Sequence, residues 1–172
     1  GSILSLKKYL SSFPNSKNSL KANYYLADLL FKEELFDQAI DKYTTVLAAG
    51  QSDFSEDALA KLSQIYLEKD DFNKAKPLLE RLEQEAYTPE NTLFAQSNLM
   101  KGYSKLNNNT AALNYANKVL AKDKLDTDIA LDAKIIIART SFKTEDFETA
   151  KEFYNSVEEK ATVVLKAETL YY

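Results

Sequence analysis

FPNSKNSLKANYYLADLLFKEELFDQAIDKYTTVL, residues 13–47, decides the fold, because its pattern of apolar and small residues returns about every 37 residues. The small residue Ala39 has counterparts at successive steps of 36, 37 and 38 residues, namely Ala75, Ala112 and Ala150. A repeat of this length is typical of stacked helix-turn-helix units, in which each unit buries its apolar face on its neighbours. The stretch therefore predicts an array of antiparallel helix pairs.

Other positions keep fixed distances from the four alanines. Three residues before them stand Phe36, Phe72, Asn109 and Phe147, of which Asn109 alone is polar. Seven residues after them stand Val46, Leu82, Val119 and Val157. Thirteen residues before them stand Leu26, Leu62, Leu99 and Ile137. Because these positions recur together, they indicate one repeated helix pair, with the alanine on the second helix.

The pattern resembles the tetratricopeptide repeat over nearly the whole chain. The family's first-helix residues are matched by Leu26 with Ala27, Leu62 with Ser63 and Tyr66, Leu99 with Tyr103, and Ile137 with Ala138. The resemblance implies an all-α fold, a right-handed α-solenoid of antiparallel helix pairs, and a single segment, 1–172, of a longer protein. We expect four full repeats and a half repeat at each end, with bounds of about 1–14, 18–50, 54–86, 89–122, 127–158 and 161–172.

A short phrase near the start is similar to a subset of that family. YLSSFPNS at residues 9–16, followed by YYLA at residues 24–27, is similar to tetratricopeptide proteins of the bacterial cell envelope, of the outer-membrane assembly lipoprotein and Tol-Pal coordinator types. The resemblance favours a periplasmic or outer-membrane-associated location and leaves a cytoplasmic one open.

Composition argues against catalysis and against several classes of ligand. The chain has no histidine and no cysteine, and so lacks the commonest general base, transition-metal ligand and thiol nucleophile. We predict no enzyme, and no catalytic, cofactor or metal site. A net charge of −4 argues against nucleic acid, whose partners usually display a basic face. No stretch approaches the roughly 18 apolar residues of a membrane span.

Capping residues mark the predicted helix ends. The expected starts use Ser16 or Asn18, Asp53 with Glu56, Asp71, Thr88 before Pro89, Thr110, and Thr144. Gly50 should end the second helix of its repeat. The second helix of the last complete repeat should end near Val157. Adjacent carboxylates fall at predicted helix ends, where acidic side chains solvate turns and favour helix starts. We therefore interpret three pairs as structural: Glu33 and Glu34, Asp70 and Asp71, Glu158 and Glu159.

In the family that the chain resembles, the outward face of each first helix lines a concave groove. We call this the groove face. The resemblance assigns to it, as candidate partner-binding residues, Tyr24, Phe31, Phe94, Ser97, Lys101, Lys105, Ile135, Arg139, Phe142 and Lys143. The cations cluster in the last two repeats, which suits an acidic peptide or protein. The alternative, that lysine and arginine merely keep the surface solvated, stays open.

The predicted function is therefore a non-enzymatic scaffold that presents a groove to a peptide or protein. Tyr24 and Asp28 replace two residues of the family's two-carboxylate clamp, so chaperone tails are not the expected ligand. One alternative is self-association through the repeat ends, where apolar residues lack a neighbouring repeat: Leu6, Leu10, Leu165 and Leu170. Another is a docking module of a larger enzyme.

Overall fold

The computed structural model describes the backbone of residues 2–169 and the side chains of residues 2–160. Within this part of the chain there are helices and no strands, so the all-α prediction is confirmed. The helices are α1 (Ile3–Ser12), α2 (Ser19–Lys32), α3 (Phe36–Ala48), α4 (Ser55–Glu68), α5 (Phe72–Glu85), α6 (Pro89–Lys105), α7 (Asn109–Leu120), α8 (Thr127–Lys143) and α9 (Phe147–Thr169).

The chain divides into two compact units, Gly1–Ala95 and Gln96–Tyr172, with the boundary inside α6. In the first unit each helix from α1 to α4 packs on the next one along the chain. In the second unit α7 packs on α8, and α8 on α9. A single array over 1–172 stays a prediction.

The repeat positions form the core of both units. The four alanines that define the repeat are buried, and so are the large residues thirteen positions before them: Leu26, Leu62, Leu99 and Ile137. Each fully buried leucine or isoleucine contributes about 1.5–3 kcal/mol through removal of apolar surface from water. The alanines have no side chain beyond Cβ, which lets neighbouring helices approach closely. The register predicted from the sequence is confirmed at these positions.

The turn between the two helices of each pair has the same geometry in all four pairs. One residue there has a positive φ, namely Glu34 (57°), Asp70 (54°), Asn107 (57°) and Glu145 (63°). The next backbone N–H donates to a carbonyl five residues earlier, from Leu35 to Leu30 (2.9 Å), Asp71 to Tyr66 (2.8 Å), Asn108 to Tyr103 (2.9 Å) and Asp146 to Ser141 (2.9 Å). This is the Schellman motif. The sequence did not reveal it because no glycine marks these turns.

Some predicted helix starts are confirmed. The side chain of Asp71 accepts from the N–H of Lys74 at 3.2 Å, which caps α5. Thr88 precedes Pro89, the first residue of α6. At the other end of a helix, Gly50 follows α3 with φ +89°, as expected of a C-terminal glycine.

Two predicted caps in the second unit are wrong. Thr110 lies inside α7, which is capped instead by Asn108, whose side chain accepts from the N–H of Ala111 at 3.2 Å. Thr144 belongs to the end of α8, since its hydroxyl donates to the carbonyl of Thr140 at 3.1 Å. In both turns a residue directly before the helix, Asn108 or Asp146, takes the capping role.

One predicted cap in the first unit is confirmed in position and another is wrong. Asn18 directly precedes α2, as predicted, although its side chain makes no capping hydrogen bond. The prediction of Asp53 is wrong, because Phe54 directly precedes α4. The hydroxyl of Ser19, the first residue of α2, donates to the carbonyl of Phe13 at 2.8 Å, and that of Ser55, the first residue of α4, donates to the carbonyl of Ser52 at 2.8 Å. A serine at the first helical position therefore ties each turn to its helix.

The last helix is longer than expected. We expected the second helix of the fourth repeat to end near Val157 and a half repeat to begin at residue 161. Instead α9 continues through these positions to Thr169. No glycine or proline interrupts residues 147–169, so nothing local forces a turn there. The side chains of Leu165 and Leu170 lie outside the described residues, so self-association through that end stays a prediction.

Candidate protein-binding surface

On the groove face of the first unit, Tyr24 is held by two contacts from the next repeat. Its hydroxyl donates to Oδ2 of Asp57 at 2.6 Å. Its ring stacks on Phe54 with centroids 4.8 Å apart. Burial, and then the hydrogen bond to Asp57, raise the pKa of Tyr24. Tyr24 therefore joins α2 to α4 and its hydroxyl is already engaged.

Beside Tyr24, Asp28 lies between two ammonium groups. Nζ of Lys32 is 3.1 Å from Asp28, and Lys61 on α4 contacts the same carboxylate. Lys61 also pairs with Asp57 at 2.8 Å. Burial works against ionisation of Asp28, but the hydrogen bonds from Lys61 and Lys32 outweigh it and lower its pKa. The two carboxylates and two ammonium groups thus compensate one another within the unit.

The other aromatic candidate on α2 also packs internally. Phe31 is half-buried and contacts the rings of Phe36 and Tyr43 edge-on, at centroid distances of 5.8 Å and 6.4 Å. Tyr43 is fully buried, and burial followed by the charges of Asp28 and Asp57 raises its pKa. Phe31 therefore closes the turn between α2 and α3. Packing accounts for both aromatic candidates on α2.

In the second unit the same face is more open. Lys101 on α6 and Asp132 on α8 form an ion pair at 3.0 Å, with side chains 46% and 44% exposed. Arg139, two turns after Asp132 on α8, is exposed and has no ion pair among the residues whose side chains are described. An exposed pair of this kind contributes about 0–1 kcal/mol. Lys101 can therefore exchange its partner at little cost.

At the end of α8, polar and aromatic groups lie side by side. Nζ of Lys143 donates to Oδ1 of Asn107 at 3.0 Å. Phe142 is 58% exposed and contacts the ring of Phe147 edge-on at 5.5 Å. This pair occupies the repeat positions of Phe31 and Phe36, but both of its rings are exposed.

The remaining candidates differ in their exposure. Ser97 is buried, 6% exposed, and a buried side chain cannot contact a partner, so it lies in the core and not on the predicted surface. Ile135 is half-buried and Lys105 is exposed, both in the second unit. Phe94 is half-buried and falls in the first unit, although it shares α6 with Lys101. The second unit thus brings together Lys101, Lys105, Ile135, Arg139, Phe142 and Lys143.

Sequence reasoning missed the contact that starts α6. The carboxylate of Glu56, on α4, accepts from the N–H groups of Tyr87 and Thr88 at 3.1 Å each, from Oγ1 of Thr88 at 2.6 Å and from Nδ2 of Asn91 at 2.9 Å. Burial disfavours the charged form, but these hydrogen bonds outweigh it and lower the pKa of Glu56 to about 2. The partners lie more than 30 residues apart in sequence, and no local motif signals them.

Two classes of feature are absent from the described part of the chain. Among these residues no group of three or more acidic, histidine or cysteine side chains is arranged to hold a metal ion. None of the described helices is long and apolar enough to cross a membrane.

Comparison with known proteins finds a match to a family model over one segment of the chain. Residues 56–84 match the model of the tetratricopeptide repeat. This segment covers nearly all of α4 and of α5, the helix pair that contains Leu62, Ser63, Tyr66 and Ala75. None of the curated proteins matches the chain.

Two solved structures are similar to the chain. One is a tetratricopeptide repeat protein from Parabacteroides merdae, 16% identical with a TM-score of 0.66, matched over 93% of this chain and 59% of that one. The chain thus spans less than two thirds of that protein's length. The other is YrrB, a tetratricopeptide repeat protein with an unusual peptide-binding site, 18% identical with a TM-score of 0.63, matched over 97% and 85% of the two chains. One segment therefore matches the tetratricopeptide repeat, and the fold is that of tetratricopeptide repeat proteins, a helical array of repeats.

Proposed function

We propose that this chain is a non-enzymatic protein-binding module whose second unit binds an acidic peptide segment along the groove face of α6 and α8. The observation that carries the proposal is Arg139, an exposed cation without an ion pair in the described residues, beside the displaceable Lys101 and Asp132 pair. A guanidinium group binds carboxylates through two parallel hydrogen bonds.

The charge balance favours an acidic ligand. Four cations share this face with one carboxylate, Asp132: Lys101, Lys105, Arg139 and Lys143. The chain as a whole is acidic, with a net charge of −4. A local cationic surface on an acidic protein steers anionic segments to one place and disfavours approach elsewhere.

Apolar surface beside the cations supplies the second part of the proposed contact. Phe142 is 58% exposed and follows Arg139 by three residues on α8. Ile135 precedes Arg139 by four residues on the same helix. Aromatic side chains and arginine are enriched at the positions that dominate binding energy. We therefore expect the ligand to carry an apolar side chain between its carboxylates.

The similarity to YrrB supports a peptide as the ligand, because YrrB is a tetratricopeptide repeat protein with a peptide-binding site. The match of residues 56–84 supports the same class of function, since this repeat is commonly a protein-interaction module. Neither similarity defines the sequence of the ligand, and the acidic character rests on the charges of the second unit.

The test is a direct binding measurement with a matched control. The probe is a fluorescein-labelled peptide in which glutamate alternates with phenylalanine, titrated at low salt and followed by anisotropy. The double variant Lys101→Glu with Arg139→Glu should bind tenfold to a hundredfold more weakly, on the order expected for reversing two interfacial charges. The control, Lys17→Glu with Lys21→Glu in the first unit, should change affinity less than about threefold. Equal losses in both variants would contradict the assignment to the second unit.

We also propose that the module works in the bacterial cell envelope. The support is the phrase YLSSFPNS followed by YYLA at residues 9–16 and 24–27, which is similar to cell-envelope members of the family. Fractionation of cells that carry the native gene, with detection by an antibody to this chain, is the measurement. Recovery with the cytoplasmic fraction alone would contradict the location and leave the binding proposal intact.

A further inference from the structure

Along one face of α8 the charged side chains are ordered by sign. Asp128 and Asp132 lie in the first two turns of the helix, and Arg139 and Lys143 lie in the last two. Steps of four, seven and four residues separate them in sequence. This spacing places all four on one face of a helix. We call this set the charge stripe of α8. It begins with two carboxylates and ends with two cations.

The acidic end of the charge stripe is only weakly compensated within the chain. Asp132 forms an ion pair at 3.0 Å with Lys101 on α6, and the side chains of the lysine and the aspartate are 46% and 44% exposed. Asp128, one turn earlier on α8, is exposed. An ion pair this exposed is weak, because water screens both charges. A ligand carboxylate that approached Lys101 would therefore also stand beside two aspartates.

The basic end of the charge stripe has the opposite balance. Arg139 is exposed and forms no ion pair among the residues whose side chains are described. The ammonium group of Lys143 donates to the amide oxygen of Asn107 at 3.0 Å, which is a neutral partner. A ligand carboxylate is therefore stabilised at this end, where a guanidinium and an ammonium group both attract it.

The helix that corresponds to α8 in the first unit, α4, has no basic end of this kind. Gln64 stands at the repeat position of Arg139. Glu68 stands at that of Lys143 and accepts a hydrogen bond from Gln64 at 2.9 Å. The two helices occupy equivalent places in the repeat, so the order of charges on α8 does not follow from the repeat itself.

We propose that the acidic segment bound by the second unit also carries one basic side chain, which faces Asp132 while a carboxylate of the segment binds Arg139. This proposal rests on the proposed function and names the ligand more closely. Seven residues of helix, a rise of about 10.5 Å, separate the two positions. An extended segment covers that distance in about three residues. The acidic and basic residues of the ligand therefore lie three positions apart.

Asp132 is the residue that sets this specificity. A second ligand carboxylate at the acidic end is attracted by Lys101 but repelled by Asp132, so it adds little to binding. A ligand ammonium group at the same place is attracted by Asp132. Like charges brought together across an interface reject the wrong partner, and opposite charges fix the register of the right one.

Three fluorescein-labelled peptides test this specificity, titrated at low salt and followed by anisotropy. Two of them carry glutamate and lysine three positions apart around a phenylalanine, in opposite orders, and the third carries glutamate at both positions. The better of the two mixed peptides should bind the wild-type chain at least about threefold more tightly than the two-glutamate peptide. Tightest binding of the two-glutamate peptide would overturn the proposal.

Charge reversal at Asp132 should reverse this order of affinities. Asp132→Lys should bind the two-glutamate peptide at least about tenfold more tightly than either mixed peptide, because a ligand glutamate now meets a lysine. Asp132→Asn, the milder change, should remove the preference for the mixed peptide. The control Glu152→Lys makes the same charge change at an exposed residue of α9 and should keep the wild-type order. An unchanged order in both Asp132 variants would overturn the proposal.

The same titrations separate this proposal from the binding function on which it rests. Arg139→Glu should weaken binding of all three peptides. If it does, while the Asp132 variants leave the order of affinities unchanged, the acidic-peptide function stands and the basic side chain of the ligand is wrong. If the wild-type chain binds none of the three peptides, both proposals fail.

Discussion

The repeat position eleven residues before each repeat alanine carries opposite charges in the two units. It holds Asp28 in the first unit, and Lys101 and Arg139 in the second. Eighteen residues before the alanines, both units carry an aspartate, Asp57 in one and Asp132 in the other. In the first unit Asp28 contacts Lys61 and Lys32, so opposite charges are paired locally. In the second, among the residues whose side chains are described, Asp132 forms an ion pair with Lys101 alone, and Arg139 remains exposed.

The difference shows how one repeat serves two purposes. Where charges of both signs pair within a unit, they join neighbouring repeats and leave little electrostatic field for a ligand. Where one sign exceeds the other, the pairs contribute little to stability but leave charge available for binding. We therefore expect substitutions on the groove face of the first unit to change the free energy of unfolding. Substitutions on the groove face of the second unit should change the affinity for the peptide.

The largest expected effect on stability comes from Lys61. Lys61→Met removes one of the ammonium groups from Asp28, whose side chain is only 16% exposed, and it also leaves Asp57 without its ion pair. We expect a loss of about 2 kcal/mol in the free energy of unfolding, less than for a fully buried pair because Lys32 remains. The matched change Lys101→Met should cost less than about 1 kcal/mol. Urea denaturation measures both, and equal losses would remove the distinction between the two faces.

A smaller effect is expected at Glu56, which holds the start of α6. Glu56→Gln keeps the shape but weakens the accepted hydrogen bonds, and should cost about 1 kcal/mol at pH 7. The pKa of Glu56 in the folded protein, about 2, lies below its ordinary value of 4.5. The carboxylate therefore stabilises the fold above pH 4.5, and this contribution is lost as pH falls towards 2.

Urea titrations from pH 7 to pH 2 measure the pH dependence of this contribution. The difference in unfolding free energy between wild type and Glu56→Gln should shrink as the pH falls below 4.5. A constant difference at every pH would contradict the account. The pKa of Asp28 is also lowered, so the unfolding free energy of Glu56→Gln should still depend on pH.

The smallest expected effect concerns the turns, which the two units share. Glu34 has φ 57°, a conformation that costs most residues about 1–2 kcal/mol. Glu34→Gly should gain about 0.5 kcal/mol, because relief of strain exceeds the added chain entropy of glycine. Asn107→Gly should gain less, since asparagine tolerates this conformation. Thermal unfolding of the two variants gives the comparison, and destabilisation by Glu34→Gly would contradict it.

The helices and the core could be predicted because they depend on local periodicity. Ala39, Leu26 and their counterparts recur at fixed spacing, and burial follows directly from that spacing. The turns could not be predicted in detail, because Glu34 and Asp70 adopt a positive φ that normally signals glycine. The length of α9 was also missed, since a repeat boundary was expected where no residue breaks the helix.

The surface was harder to predict than the core. The resemblance selected Tyr24, Phe31 and Ser97 for the groove face, but Tyr24 and Phe31 pack internally and Ser97 is buried. Whether a residue at a given repeat position faces solvent depends on which side chain the next repeat supplies. Phe54, for example, covers Tyr24 from 30 residues downstream. Such pairings depend on the tertiary structure and leave no periodic signal.

The central claim is that acidic peptides bind to the second unit and not to the first. The most direct measurement is amide chemical-shift mapping of the labelled chain during titration with the glutamate and phenylalanine peptide. We predict that the shifts concentrate on α6 from residue 101 onwards and on α8 between residues 132 and 143, while α2 and α4 change little. Shifts concentrated around Tyr24 and Asp57, or no saturable shifts at all, would contradict the account.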